Sequence, residues 1–366
     1  MTIYLLAAFL LSLICGVTLT PLILDYCKQK GIYDIPNERK IHKTVIPRMG
    51  GIAFLPSMLM SFFVILMLLP VSNTYDLHVS IWSAVFMMGM IIIYLTGIID
   101  DWIGLSAISK FCIQIITGSL LPLCGLYINN LYGLFGVEDI PYYVGIPITV
   151  FMMVLINNAI NLIDGIDGLA ASLSIIALTG FLAYFIYYDV FLHTYALLSA
   201  GLIGALLAFL YFNMWGKQEK NSKIFMGDSG SLSLGFLLGF LFVKTASENL
   251  NIWPHRQDAL LVPLTLLMVP LADVVRITIY RLCHHKPLFQ ADKNHIHHKL
   301  MRAGLSQHQT MGIIISISLI YIIVNYLLFQ SIGITYVLLL DIALYVLLQY
   351  AIDVMIKHRK EVVVTT

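Results

Sequence analysis

Eleven apolar runs, each near the length that crosses a hydrocarbon layer of about 30 Å, take up most of this chain. They fall at roughly 2–26, 50–70, 81–99, 108–126, 145–163, 169–188, 194–214, 230–246, 259–282, 310–330 and 333–356. Inside a bilayer every backbone N–H and C=O must find its partner within the segment, so such runs fold as helices. The expected fold class is therefore all-α: a polytopic integral membrane protein with about eleven transmembrane helices. Charged residues are 11% of the 366 and hydrophobic residues 59%. A soluble domain carries about a quarter charged residues, which excludes that class. The fifth and sixth spans are the least sharply bounded, because a polar stripe lies between them.

The start, Met1-Thr2-Ile3-Tyr4-Leu5, lacks a basic n-region and the apolar run continues past Pro21, so it reads as the first span and not as a leader. Five scattered cysteines (Cys15, Cys27, Cys112, Cys124, Cys283) form no CxxC pair and read as packing residues. No soluble domain, low-complexity linker or repeat of 20–50 residues interrupts the pattern. Residues 1–366 are expected to form one membrane domain, with active-site loops at about 27–49, 100–110, 157–168, 215–231 and 284–309 on one face.

Lysine and arginine set the orientation. With the N-terminus outside, nineteen of the twenty-one fall in inside segments and only Lys244 and Arg256 fall outside. That bias predicts an external N-terminus, a cytoplasmic C-terminus and residence in the inner (cytoplasmic) membrane. The polar clusters then all face the cytoplasm.

The densest of these is Asn157-Asn158-Ala159-Ile160-Asn161-Leu162-Ile163-Asp164-Gly165-Ile166-Asp167-Gly168. On a continuous helix, Asn157, Asn161 and Asp164 lie within about 60° of one another, with Asp167 to one side. Mixed amide and carboxylate oxygens suit a hard cation such as Mg²⁺; a polar helix cap is the plainer alternative. Asp100-Asp101 closes the third span, with Lys110 nine residues beyond Asp101. Paired carboxylates there hold a metal, orient a cation or take a proton, unless they simply cap the helix.

Three further clusters join them. Lys43, within Arg39-Lys40-Ile41-His42-Lys43, precedes Pro47-Arg48-Met49-Gly50-Gly51; cations and a Gly-Gly helix start suit phosphate, though an ordinary positive-inside loop looks the same. Ile224-Phe225-Met226-Gly227-Asp228-Ser229-Gly230-Ser231 offers a metal ligand in Asp228, a stacking ring in Phe225 and free amides for phosphate, or is a plain turn. His295-Ile296-His297-His298, flanked by Asp292, Lys293, Lys299 and Arg302, lacks cysteine partners for zinc and favours anion binding or acid/base work. Asp273 and Arg276 lie close enough to join the site; Asp341 and Asp353 find no role.

These motifs in combination resemble the polyprenyl-phosphate N-acetylhexosamine-1-phosphate transferases, a superfamily that also includes the muramoyl-pentapeptide translocases. The resemblance runs from Arg39 to about Arg302 and rests on Asp100-Asp101, NxxDGxDGL at Asn161–Leu169, FMGDSGS at Phe225–Ser231 and HIHH at His295–His298. The translocase branch has ten spans and a three-histidine run, which this chain lacks; transfer of phospho-muramoyl-pentapeptide is thus the alternative within the superfamily.

The resemblance implies transfer of a sugar-1-phosphate, most often N-acetylglucosamine-1-phosphate, from a UDP-sugar to undecaprenyl phosphate. UMP is released, Mg²⁺ (or Mn²⁺) is required, and the product starts a cell-envelope polysaccharide. It implies catalytic roles for Asp100, Asp101, Asp228, His295, His297 and His298. Asn161 and Asp228 would ligate the metal. Asp167 and Phe225 would contact uracil, with Asp164 and Asn157 in the nucleotide region. Lys43, Lys110 and Arg302 would serve substrate phosphates. Membrane lipid is the expected surrounding, a homodimer is allowed, and no nucleic acid partner is expected.

A phosphate acceptor, largely dianionic at neutral pH, needs little deprotonation, which favours a single in-line displacement over a phosphoryl-enzyme. A transporter with polar sites at mid-membrane is the rival of another class, but the acidic motifs sit at span ends and no inverted repeat is visible.

Overall fold

The computed structural model describes residues 1–34, 45–68, 81–188, 193–217, 222–248, 256–288 and 293–365. Its helices are α1 (Thr2–Lys30), α2 (Phe54–Leu68), α3 (Ile81–Ile103), α4 (Ala107–Leu123), α5 (Tyr142–Ile163), α6 (Leu169–Tyr188), α7 (His193–Met214), α8 (Gly227–Ala246), α9 (Leu261–Leu266), α10 (Met268–Cys283), α11 (Ile296–Arg302) and α12 (Gln307–Thr365). A 3-10 turn, Gly50–Ala53, leads into α2. Two short antiparallel pairs complete the described chain: β1 (Tyr33–Asp34) with β2 (Ile46–Pro47), and β3 (Asn130–Leu134) with β4 (Val137–Asp139).

Among the described residues, eight helices are long and apolar enough to cross a membrane, so the protein is an all-α polytopic membrane protein. The last of the eight covers 53 residues, Gln307–Arg359, and bends at Gly333, whose φ of 73° breaks the helical run. α4 is apolar but has 17 residues, and α9 and α10 are two pieces broken at Leu267.

The centre of the bundle is α8, buried along its whole length against α3 and α5. Small residues make this possible. Ser231, Gly235 and Gly239 recur every fourth position and so line one side of the helix. A β-carbon on Gly235 would lie 2.7 Å from the Asn157 Cα, and one on Gly239 2.9 Å from the Met153 sulfur, so α5 lies almost backbone to backbone on α8. α1 reaches α7 in the same way, with Gly16 against Ala208 and Gly204 against the Phe9 carbonyl. On α1, α2, α3 and both halves of α12 the outer faces carry exposed Leu, Ile, Phe and Tyr, which suits a lipid surrounding.

Chain direction brings the polar motifs together. α3 ends at Asp100-Asp101, α4 begins near Lys110, α5 ends at Asn161, α8 begins at Asp228, and α10 runs toward α11 with its histidines. All of these termini lie at one end of the bundle. The β3–β4 hairpin and the C-terminal end of α8 lie at the other, where Lys244 sits over the Trp82 ring.

Candidate active site

Lys110 is the hub of the site. Its ammonium group donates to Asp228 Oδ2 at 2.6 Å and to Asp100 Oδ2 at 3.1 Å, tying the end of α3 to the start of α8. Asp228 Oδ1 accepts the Asn161 amide at 2.9 Å, and that amide also donates to Ser231 Oγ at 2.8 Å. Motifs from α3, α4, α5 and α8 thus meet around one carboxylate.

Asp101 does a different job from its neighbour. Its two oxygens accept the backbone N–H groups of Asp228 and Ser229, each at 2.9 Å, so it caps α8 from a distance in sequence. Those two amides are therefore engaged by a carboxylate. Gly97 lies beneath the same turn, where a β-carbon would come within 2.5 Å of the Ser229 Cα. Asp100 Oδ1 accepts the Leu105 N–H at 2.6 Å, which closes the loop that carries Lys110.

The Asn157–Gly168 stripe divides once helix α5 ends at Ile163. Asn157 is buried, accepting from Gln114 at 3.1 Å and donating to the Leu232 carbonyl at 3.1 Å, while Asn158 donates to Gln114 Oε1 at 2.7 Å. Gln114 lies one turn after Lys110 on α4, a spacing that marks it in the sequence. Asp164 is the C-cap and leaves the helix, so it stands off the Asn157–Asn161 face where a continuous helix would place it. It is half-buried, and burial together with the carboxylates of Asp228, Asp167 and Asp101 pushes its carboxyl up to about 8.

Asp167 pairs with Lys223 at 2.6 Å. Lys223 was visible in the sequence only as one inside cation among many. Gly168 turns the chain at φ 75°, and its N–H donates to Asn213 Oδ1 at 2.7 Å; Asn213 in turn donates to the Ile224 carbonyl at 2.9 Å. A lone amide in the last turn of apolar α7 is the signal that could have revealed it.

The Gly50-Gly51 pair is engaged by the Phe225–Ser231 segment. Gly50 and Gly51 donate to the carbonyls of Phe225 and Met226 at 2.8 Å each, and Phe225 N–H donates to the Pro47 carbonyl at 2.8 Å. A β-carbon on Gly51 would fall 2.0 Å from the Gly230 Cα. These glycines serve close backbone approach, with their amides turned to protein carbonyls and not outward to an anion. Phe225 is half-buried beside this junction. Lys43, with Arg39, Lys40 and His42, lies outside the described residues, as does Asp292.

The histidine motif is anchored by Asp273 of α10, which accepts His295 Nδ1 at 2.8 Å and the Ile296 N–H at 3.0 Å. His295 and His297 have nearly parallel rings 5.9 Å apart, and the His298 ring lies 4.2 Å from His297, tilted by 44°. His297 is buried against Gly165, bringing this loop onto the Asn161–Asp167 turn. Burial, then the other two imidazoles, lowers His297 to about 3. Burial, then His295 and the cations Arg302 and Lys293, lowers His298 to about 4. Both rings are neutral at pH 7, so they act there by shape and hydrogen bonding. Arg302 is exposed and donates to Asn294 Oδ1 at 3.0 Å.

Four carboxylates (Asp100, Asp101, Asp167 and Asp228) and the raised Asp164 carboxyl stand around two lysines. That excess of negative charge, presented by oxygen ligands only, suits a hard divalent cation that takes one or two protein oxygens and completes its shell with water and substrate phosphate. Among the described residues, no three His, Cys, Asp or Glu side chains are arranged to hold a metal by themselves. Asp228 and Asn161 are the pair placed to share one; half a turn of the Asn161 amide presents its oxygen in place of its nitrogen.

Fold and site together define a polytopic helical membrane protein in which a lysine bridges two carboxylates at one end of the bundle. Residues 83–246 match the family model described as glycosyl transferase family 4. The chain is 32% identical to a probable undecaprenyl-phosphate N-acetylglucosaminyl 1-phosphate transferase of Bacillus subtilis, over 86% of this chain and 82% of the relative. It is 33% identical to a decaprenyl-phosphate N-acetylglucosaminephosphotransferase of Mycobacterium tuberculosis, over 78% and 72%. To the undecaprenyl-phosphate alpha-N-acetylglucosaminyl 1-phosphate transferase of Escherichia coli K12 it is 29% identical, over 78% and 74%. The chain belongs to glycosyl transferase family 4.

Proposed function

We propose that this protein transfers N-acetylglucosamine-1-phosphate from UDP-N-acetylglucosamine to undecaprenyl phosphate, at the cytoplasmic face of the inner membrane. The observation that carries this reading is Lys110, which bridges Asp100 and Asp228 where four helices end. A phosphate acceptor and a pyrophosphate donor repel one another, and bringing them together needs cations positioned at their oxygens. Sidedness rests on the nineteen inside lysines and arginines. Eleven crossings follow if α12 crosses twice about Gly333, α4 crosses once, and α9 with α10 make one broken span.

In the reaction, an oxygen of the acceptor phosphate attacks the phosphorus that bears the sugar. The bond from that phosphorus to the bridging oxygen breaks, UMP leaves with the electron pair, and the sugar-1-phosphate stays on the lipid as a diphosphate. Mg²⁺ held by Asp228 and Asn161 would neutralise charge on the pyrophosphate oxygens. Lys110 offsets acceptor charge next to Asp100. Asp167, oriented by Lys223, and Phe225 form the nucleotide end. Both oxygens of Asp101 and both of Asp228 accept hydrogen bonds, which supports a single displacement over attack by either carboxylate.

The test is the purified protein with Mg²⁺, undecaprenyl phosphate and a panel of UDP-sugars, with the lipid product read by mass. Lipid diphospho-N-acetylglucosamine with UMP in equal amount is expected. UMP formation without dependence on the lipid sinks the reading, and a product from phospho-muramoyl-pentapeptide alone redirects it to the translocase branch. Exchange of labelled UMP into the UDP-sugar without lipid would overturn the single displacement.

A further inference from the structure

The histidine loop is held from behind by residues that lie outside the site's own motifs. Asp273 is 1% exposed and receives four donors. Its Oδ1 accepts Arg276 Nη2 at 2.9 Å, the Ile296 N–H at 3.0 Å and the Tyr345 hydroxyl at 3.2 Å; its Oδ2 accepts His295 Nδ1 at 2.8 Å. Arg276 also donates to the Asn294 carbonyl, one residue before His295. A buried carboxylate holding four donors from three separate elements is a fixed anchor.

Tyr345 comes from the last half of α12, far along the chain. That half presents a residue to the histidine segment at each turn: Tyr345 to Asp273, Gln349 to Lys299 Nζ at 2.9 Å, and Asp353 to Lys299 Nζ at 2.7 Å. Spacing of four keeps these side chains on one face of the helix. Beyond them, Arg359 donates to the Arg302 carbonyl at 3.3 Å. The helix therefore grips α11 along its length, while Asp341, one turn earlier, is held by Asn325 at 2.7 Å and takes no part.

We propose that Asp273 and Tyr345 are positioning residues for the transfer: they fix the proton of His295 on Nδ1 and hold His295, and through its ring His297, against the Gly165 turn. A carboxylate on Nδ1 leaves Nε2 as the ring's other face, and sets which nitrogen is turned toward substrate. The inference rests on the proposed transfer only for its kinetic arm; the ring-nitrogen arm is independent of activity.

The experiment compares Asp273→Asn, Tyr345→Phe and Asp341→Asn in the full chain. Asp273→Asn is expected to lower kcat/KM by about 10- to 100-fold, as loss of a carboxylate orienting a histidine does, and Tyr345→Phe by about fivefold, the worth of one hydrogen bond. Asp341→Asn, on the same helix but outside the shell, is expected to stay within about twofold and serves as the packing control. In ¹⁵N-histidine-labelled protein, with the His295 signal assigned by its loss in His295→Gln, Nδ1 is expected to be protonated in the native chain and bare in Asp273→Asn. Retained kcat/KM in Asp273→Asn, an unchanged Nδ1 signal, or an equal loss in Asp341→Asn would each overturn the proposal. Should the native protein transfer nothing from the UDP-sugar, the functional reading fails while the nitrogen signals still decide the role of Asp273.

Discussion

His297 lies directly on Gly165: a β-carbon at that glycine would fall 2.1 Å from the His297 Nε2. Among the described residues neither ring nitrogen of His297 has a hydrogen-bond partner, and the residue is 1% exposed. The contact is where the loop after α10 meets the turn after α5. The glycine exists so that the two can touch.

Gly165→Ala is accordingly expected to push the histidine loop off the Asn161–Asp167 turn. A displacement of an ångström at a reacting centre costs on the order of 100-fold in rate. Steady-state transfer assays on the purified variant check this, with a thermal melt beside them. A variant that melts like the native protein and keeps more than a tenth of its activity would show that the contact is not part of the working site.

Asn213→Ala removes the link between Gly168 N–H and the Ile224 carbonyl and leaves both buried groups unpaired. The expected cost is about 2 kcal/mol of stability, the penalty for stranding buried polar groups. Denaturation in mixed micelles measures it, and a loss below about 0.5 kcal/mol would mean water replaces the amide.

Much of this grouping is legible in the amino-acid sequence. Apolar length fixed the all-α membrane class, and the acid, amide and histidine motifs that are described meet at one end of the bundle. What stayed hidden has physical reasons. Asp164 departs from the helical face because α5 ends at Ile163, and a 3.6-residue period cannot say where a helix stops. Asp100 and Asp101 look equivalent as letters, yet one faces Lys110 and the other caps α8; adjacent residues point apart. Lys223, Asn213 and Gln114 work through partners 43 to 56 residues away or across a loop, so that a polar side chain on an apolar helix marks Asn213 and Gln114 in the sequence while their partners stay hidden. Asp353, which had no role in sequence, gains one from Lys299.

Asp228→Ala is expected to abolish transfer in Mg²⁺ while the protein still inserts and folds, because the carboxylate that Lys110 and Asn161 both touch is lost. Asn161→Ala should keep some turnover but raise the Mg²⁺ needed for half-maximal rate by about tenfold or more, as loss of one oxygen ligand does. Activity measured across a Mg²⁺ titration separates the two. Near-native rates in Asp228→Ala would show that the metal is held elsewhere.

In chelator-treated protein, His297 and His298 on one side and Asp164 on the other contribute to stability with opposite pH dependence. His297 titrates at about 3 in the fold against an ordinary 6.5, and His298 at about 4. Between those values and 6.5 the unfolded chain binds more protons, so stability rises with pH, by up to about 1.4 kcal/mol per unit for His297 and less for half-exposed His298. Asp164 is opposite: its carboxyl titrates at about 8 in the fold against 3.8. There the folded state binds the extra proton, and stability falls as pH climbs toward 8. Melting midpoints from pH 4.5 to 8.5 check the shape. Asp164→Asn should flatten the alkaline side and His297→Asn the acidic side; if each variant keeps the native profile, neither buried group controls it.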